Sequence, residues 1–233
     1  MSKLNVSERF FSIQGEGQTM GVPAVFLRLG GCNLLCESKN WRCDTIEVWR
    51  KSKATPFEEI LSNEYIDKLN KGAHLVITGG EPMVYENKIY EYLCWFMETY
   101  GFLPYVEMET NGTIEPSGLL SPYVYYWNVS PKLSSAGSQN TKSMRINESA
   151  LKKLNELEDS IFKFVISCVE DVDEVLDDFG NLIDKRKIYL MPAGSTREEL
   201  EKTRLMTVEM CKKYSVNYCD RLHVVIWNMK TGV

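Results

Sequence analysis

HLVITGGEP, residues 74–82, reads as a short apolar strand that runs into two glycines, an acid and a proline. A run of aliphatic and β-branched residues bounded by turn residues is the pattern of a buried β-strand. It returns in YVEMETNG (105–112), YYWNVSPK (125–132), IFKFVIS (161–167) and KIYLMPAG (187–194), and RLHVVIWN (221–228) reads as a last strand. Helical patterns lie between them. Ile89, Leu93, Phe96, Met97 and Tyr100 recur at helical spacing over 87–100, and further helices are expected over 147–158 and 171–179. ATPFEE (54–59) is expected to open a helix, with Thr55 as cap, Pro56 in the first turn and Glu58 closing a capping box. Ser195 and Glu198 make a second such box for a helix reaching about Tyr214.

Strands alternating with helices predict an α/β fold with a mainly parallel sheet. In such sheets ligands sit beyond the carboxyl ends of the strands. TGGEP, ETNGT, SPK and MPAG all follow strands on that side, so the four loops converge on one rim. The alternative is that each loop carries Gly and Pro for turn geometry alone.

The length, 233 residues, suits one core, and residues 1–233 are expected to form one domain. Net charge is −5, which argues against a broad phosphate-binding face and against direct nucleic-acid contact, though not against a small anion held by local cations. No apolar run approaches the roughly 20 residues of a membrane span, and MSKLNVSERF has no apolar secretory segment, so a cytoplasmic protein without membrane contact is expected.

Seven cysteines are present, and three of them cluster in GGCNLLCESKNWRCDT (30–45). Cys94, Cys168, Cys211 and Cys219 are scattered and read as small buried hydrophobes. A structural zinc site wants four ligands, and His74 and His223, the two histidines, stand in predicted strands far away. Soft thiolates suit an iron–sulfur cluster. Three of them, Cys32, Cys36 and Cys43, leave one iron of a [4Fe–4S] cluster without a protein donor. S-adenosylmethionine fits that vacancy through its amino and carboxylate groups, and the glycines Gly79 and Gly80 let backbone approach a ligand closely. The ligand's ammonium would be accepted either by the Glu81 carboxylate or by backbone carbonyls of this loop.

FSIQGEG (11–17), GVPAVFLRLGGCNLLC (21–36), CDT (43–45), TGGEP (78–82), ETNGT (109–113), SPK (130–132) and RLHVVIW (221–227) together resemble the 7-carboxy-7-deazaguanine synthase family of radical S-adenosylmethionine enzymes. The resemblance implies a modified partial (β/α) barrel, commonly a homodimer, with a cluster loop at about 32–50. It implies conversion of 6-carboxy-5,6,7,8-tetrahydropterin to 7-carboxy-7-deazaguanine with loss of ammonia, assisted by Mg2+, in queuosine-type 7-deazapurine synthesis, with a flavodoxin- or ferredoxin-type reductant. By the same resemblance Thr45 is the magnesium ligand, a hard oxygen donor. Ile13, Gln14 and Gly15 would read the pterin edge, and Arg28 would pair with the substrate carboxylate. Thr78 and Glu109 would contact substrate, while Gly80, Ser130, Pro131, Lys132, Met191, Pro192, Ala193 and Gly194 would contact S-adenosylmethionine. His223 is read both as a substrate contact and as a packed histidine of an apolar strand. Trp41 and Trp49 would shield the cluster or simply pack.

Two departures stand out. Six residues, ESKNWR, separate Cys36 from Cys43, where the family commonly has two, so the loop's shape and reductase docking are open. MPAG stands where glutamine-proline is usual, and a methionine cannot make the same hydrogen bonds. Two other readings remain. One is another radical enzyme, such as a glycyl-radical activase, which would have no use for IQGEG and Arg28. The other is a structural zinc domain.

Overall fold

The computed structural model describes residues 2–38, 42–43 and 45–230. Trp41 and the middle of the ESKNWR insert lie outside the described residues.

Among the described residues nine strands form one sheet: β1 (Lys3–Ile13), β2 (Pro23–Leu29), β3 (Lys53–Pro56), β4 (His74–Gly79), β5 (Val106–Thr110), β6 (Tyr126–Val129), β7 (Ser160–Ile166), β8 (Ile188–Pro192) and β9 (Asn217–Tyr218). The helices are α1 (Ile46–Trp49), α2 (Asn63–Asn70), α3 (Glu86–Tyr100), α4 (Lys142–Arg145), α5 (Glu148–Glu156), α6 (Val169–Phe179), α7 (Arg197–Tyr214) and α8 (Leu222–Trp227). The strand order is β3-β1-β2-β4-β5-β6-β7-β8-β9. From β2 onward every neighbouring pair is parallel, and β1 runs antiparallel to both β2 and β3. The order has two ends, so the sheet does not close on itself. Both edge strands are short, which limits the row of unpaired backbone groups they present.

Side chains alternate across a strand, and that alternation splits this sheet into two chemically different faces. Val25, Leu27 and Leu29 of β2, Leu75 and Ile77 of β4, Val106 and Met108 of β5, Trp127 and Val129 of β6 and Phe162 and Phe164 of β7 join one large core. The helices α3, α5 and α6 cover that side through Leu93 and Phe96, Leu151 and Leu154, and Val175 and Phe179. The intervening residues face the other way. Ala24, Phe26 and Val76 form a small separate cluster with Phe10, whose ring stacks on Phe26 at 4.8 Å. Beyond it, this face carries His74, Thr78, Glu107, Asn128 and Lys163. Parallel sheets are normally apolar on both faces, so a polar second face marks where the molecule binds something.

The five expected central strands are present, and the helix expected over 87–100 is α3. Three expectations fail. ATPFEE opens no helix: Lys53–Pro56 is edge strand β3, with Leu4 opposite Thr55 and Lys3 opposite Pro56, followed by a short 3-10 turn. Proline at the end of an edge strand costs no ladder hydrogen bond. The helix starts later, where the Ser62 hydroxyl accepts from the Tyr65 N–H at 3.4 Å. The second capping pair is displaced by one residue, with Thr196 Oγ1 accepting from the Glu199 N–H and the Glu199 carboxylate from the Ser195 N–H. RLHVVIWN is not a strand: Leu222–Trp227 is helix α8. A short apolar run does not distinguish strand from helix, and here the edge next to β8 is already taken by β9.

Candidate active site on the polar face of the sheet

The floor of the site follows from strand register. VEMET places Glu107 and Glu109 two residues apart, on one face of β5. Glu107 is completely buried and accepts from Thr19 Oγ1 at 2.7 Å, Asn128 Nδ2 at 2.9 Å and Gln14 Nε2 at 3.3 Å, with His74 Nδ1 at 2.5 Å. Glu109 accepts from Thr78 Oγ1 at 2.8 Å and Gln14 Nε2 at 3.2 Å. Arg28 lies opposite Thr78 in the parallel register of β2 and β4. Its Nε donates to Glu8 Oε1 at 2.7 Å. The guanidinium fork has five N–H donors in all, so a pairing with Glu8 through Nε is compatible with a second carboxylate. Arg28, Thr78, Glu109 and Gln14 are therefore brought together. Glu107, Asn128, Thr19 and Lys163 were not singled out from sequence. The period-2 pattern of VEMET was the available signal for Glu107.

The wall is the segment 13–17 and the C-terminal helix. The Leu222 N–H donates to the Gly15 carbonyl at 2.8 Å, and a Cβ on Gly15 would sit 2.2 Å from His223 Nδ1, so only glycine admits this packing. His223 thus lies against the IQGEG turn, neither in a strand nor in the core. Glu16 turns inward to Lys163 and to Arg221 Nε at 2.9 Å, with His223 Nε2 at 3.9 Å. Burial pushes the Glu16 carboxyl up, but Lys163, Arg221 and His223 together outweigh it and hold the group well below the usual carboxylate range. Lys163 mirrors this: burial pulls its pKa down, and Glu16, Glu109 and Cys219 more than reverse it. Breaking one partner of such a buried pair costs about 3–5 kcal/mol, because the other charge is left uncompensated.

Beyond the strand ends lies the cysteine loop. Cys32 and Cys43 pack around buried Cys36, with Leu34 and Ala136. All three are free thiols. The loop is tied to the rim at several points. The Glu81 N–H donates to the Gly31 carbonyl at 2.9 Å, and the Gly80 N–H to the Leu29 carbonyl at 3.3 Å. Asn33 bonds Thr113 and Asn111 of the ETNGT loop, and Asn140 holds the backbone of Leu35 from both its amide ends. A Cβ on Gly80 would lie 2.2 Å from the Gly31 oxygen and 2.7 Å from Cys32 Cβ, so the two loops touch only because residue 80 is glycine. Thr45 Oγ1 lies 3.2 Å from Cys43 Sγ.

Three cysteines packed together are a soft donor set, the kind that suits an iron–sulfur cluster. Burial pushes the Cys32 thiol up to about 11, and moves Cys36 in the same direction. Thiols in this environment become thiolates when a cationic metal centre compensates them.

Glu81 ties two of the rim loops together. It is completely buried and accepts from Thr110 Oγ1 at 2.7 Å, the Asn111 N–H at 2.6 Å and the Met83 N–H at 3.0 Å. Both carboxylate oxygens are engaged in joining the TGGEP and ETNGT loops. Ser130, Pro131 and Lys132 follow β6, with Lys132 Nζ donating to Ser130 Oγ at 3.0 Å. Met191 and Pro192 are buried at the end of β8, while the Ala193 carbonyl accepts from Thr203 Oγ1 and the Gly194 carbonyl from Arg221 Nη1, each at 2.7 Å.

An open, largely parallel sheet with a three-cysteine loop beyond its strand ends defines an iron–sulfur α/β protein, and residues 13–111 match the family described as a 4Fe-4S single cluster domain. The chain is 31% identical to a 7-carboxy-7-deazaguanine synthase from Halobacterium salinarum, over 97% of this chain and 91% of the relative. It is 32% identical to the enzyme of that name from Pyrobaculum aerophilum, over 99% and 97%. The crystal structure of QueE from Escherichia coli superimposes with a TM-score of 0.68 at 26% identity, covering 95% of both chains. The chain belongs to the 7-carboxy-7-deazaguanine synthase family.

The contact at residue 80 can be tested directly. Gly80→Ala forces the Cys32 loop off the rim, an overpacking of about 1–3 kcal/mol, and the reconstituted protein should carry less than half the wild-type iron while keeping its far-UV circular dichroism. Full iron content in the variant would show that the glycine contact does not position the loop.

Proposed function

We propose that this chain is a radical S-adenosylmethionine enzyme that converts 6-carboxy-5,6,7,8-tetrahydropterin to 7-carboxy-7-deazaguanine with loss of ammonia. The observation that carries the reading is the juxtaposition of a cation, Arg28, with the acceptors Thr78 and Glu109 on adjacent strands, at the end of the sheet where β2 runs into the cysteine loop. A carboxylated ring with amino and ring N–H donors needs that combination: a guanidinium for its carboxylate and buried acceptors for its donor edge.

Cys32, Cys36 and Cys43 would hold a [4Fe–4S] cluster, which with S-adenosylmethionine supplies a carbon radical able to take a hydrogen atom from the substrate. The remaining roles belong to this chain's own residues. Arg28 fixes the substrate carboxylate and so the ring's orientation. Ile13, Gln14 and Gly15 read the pterin edge through backbone groups, with the Gln14 side chain already bound to the two glutamates of the floor. Glu109 stands beside Lys163 and accepts from ring donors. Helix α8 and His223 close the wall and exclude water. Gly80, the Ser130–Lys132 loop and the Met191–Gly194 loop line the S-adenosylmethionine side. Thr45 supplies an oxygen to Mg2+, whose other positions come from water and the substrate carboxylate.

No helix among the described residues is long and apolar enough to cross a membrane. The reading extends to one domain over residues 1–233 in the cytoplasm, assembled as a homodimer and reduced by a flavodoxin or ferredoxin.

Reconstituted enzyme incubated anaerobically with carboxytetrahydropterin, S-adenosylmethionine, Mg2+ and reductant should yield the deazaguanine carboxylate and ammonia. Absence of both, with S-adenosylmethionine cleaved, would favour another radical enzyme. In Arg28→Ala, kcat/KM for the pterin should fall by about 10–150-fold, the value of a charged hydrogen bond, while S-adenosylmethionine binding stays within about twofold of wild type. Equal loss of both would misplace Arg28. Thr45→Ala should raise the Mg2+ concentration needed for half-maximal rate, and an unchanged requirement removes Thr45 as a ligand.

A further inference from the structure

Arg221 touches two loops that sequence reasoning assigned to two different ligands. Its Nε donates to Glu16 Oε1 at 2.9 Å, in the IQGEG turn, and its Nη1 donates to the Gly194 carbonyl at 2.7 Å, in the loop after β8. Both side chains are largely buried, 14% exposed for Arg221 and 17% for Glu16. The two loops are remote in sequence, one at Glu16 and the other at Gly194. The Glu16 end is connected onward: its N–H donates to Gln14 Oε1 at 3.2 Å, and Gln14 Nε2 reaches Glu109 and Glu107 on the floor. The Gly194 end precedes α7, where Arg197 grips the Val225 and Ile226 carbonyls of α8.

We propose that Arg221 is a positioning residue that couples the two halves of the site, so that occupancy of the pterin side and of the S-adenosylmethionine side reinforce each other. This rests on the functional reading above. A guanidinium is a planar, rigid fork, and its two nitrogens here report to two loops at once. A shift of the IQGEG turn on binding a ligand moves Glu16, and Glu16 carries Arg221 and the Gly194 carbonyl with it. Because coupling between two sites is reciprocal, each ligand must tighten the other by the same factor, typically about 5–150-fold. Lysine at this position would keep a charge for Glu16 but lacks the planar fork whose separate Nε and Nη1 reach the two loops here, so its compact ammonium does not hold them at the same separation.

The test is an equilibrium binding cycle on the reconstituted holoenzyme, with Mg2+ and without reductant, so that nothing turns over. S-adenosylmethionine affinity is measured with and without 6-carboxytetrahydropterin, in wild type, Arg221→Lys and Arg197→Ala. Arg197→Ala loosens the same helix without touching Glu16. In wild type the pterin should tighten S-adenosylmethionine at least about fivefold. In Arg221→Lys that ratio should fall toward one, with iron content unchanged and each ligand still bound alone. In Arg197→Ala the ratio should stay as in wild type. A wild-type ratio of one, a preserved ratio in Arg221→Lys, or an equal loss in Arg197→Ala each overturns the proposal and leaves the functional reading standing. Wild-type protein that binds neither ligand overturns the functional reading itself, and the coupling with it.

Discussion

The contact between the Gly31 carbonyl and the backbone of Gly80 and Glu81 is the constraint on which the site depends. It brings the loop after β2, which carries the cysteines, against the loop after β4. Glu81 makes the joint rigid. A carboxylate at zero exposure is costly unless every lone pair finds a donor, and here Thr110, Asn111 and Met83 supply them. Burial pushes the Glu81 carboxyl up, and those three hydrogen bonds pull against it. The same carboxylate therefore registers the loops after β4 and β5 while its backbone holds the cysteine loop. Asn33 and Asn111 extend the seam to ETNGT. Three strand ends become one surface.

The sheet then divides labour between its faces. One side buries Trp127, Phe162 and Phe164 under helices and supplies the stability. The other buries charge. Glu107 and Glu109 sit where apolar residues would be cheaper, and the protein satisfies them with Thr19, Thr78, Asn128, His74 and Gln14. Lys163 and Arg221 neutralise Glu16 in the same region. A fully satisfied buried polar network is rigid and specific in what it admits. That suits a site which must hold a small polar ring still while a neighbouring group reacts with it.

The sequence by itself determined the alternation of strands and helices, the parallel sheet and the rim of glycine and proline loops, because periodicity and turn chemistry are local properties. It also determined the three-thiol loop, since Cys32, Cys36 and Cys43 are neighbours along the chain. It did not determine the fate of RLHVVIWN, because an apolar run of that length suits strand and helix alike and only the packing of Val224, His223 and Gly15 decides. Nor did it reveal that ATPFEE pairs with the first strand, since the partner lies fifty residues away. The roles of Glu16 and Glu81 belong to tertiary structure alone. A carboxylate in a glycine-rich turn reads the same whether it meets water, a ligand or a buried arginine from the far end of the chain. What it meets is set by which loops the fold brings within 3 Å, and no local pattern encodes that distance.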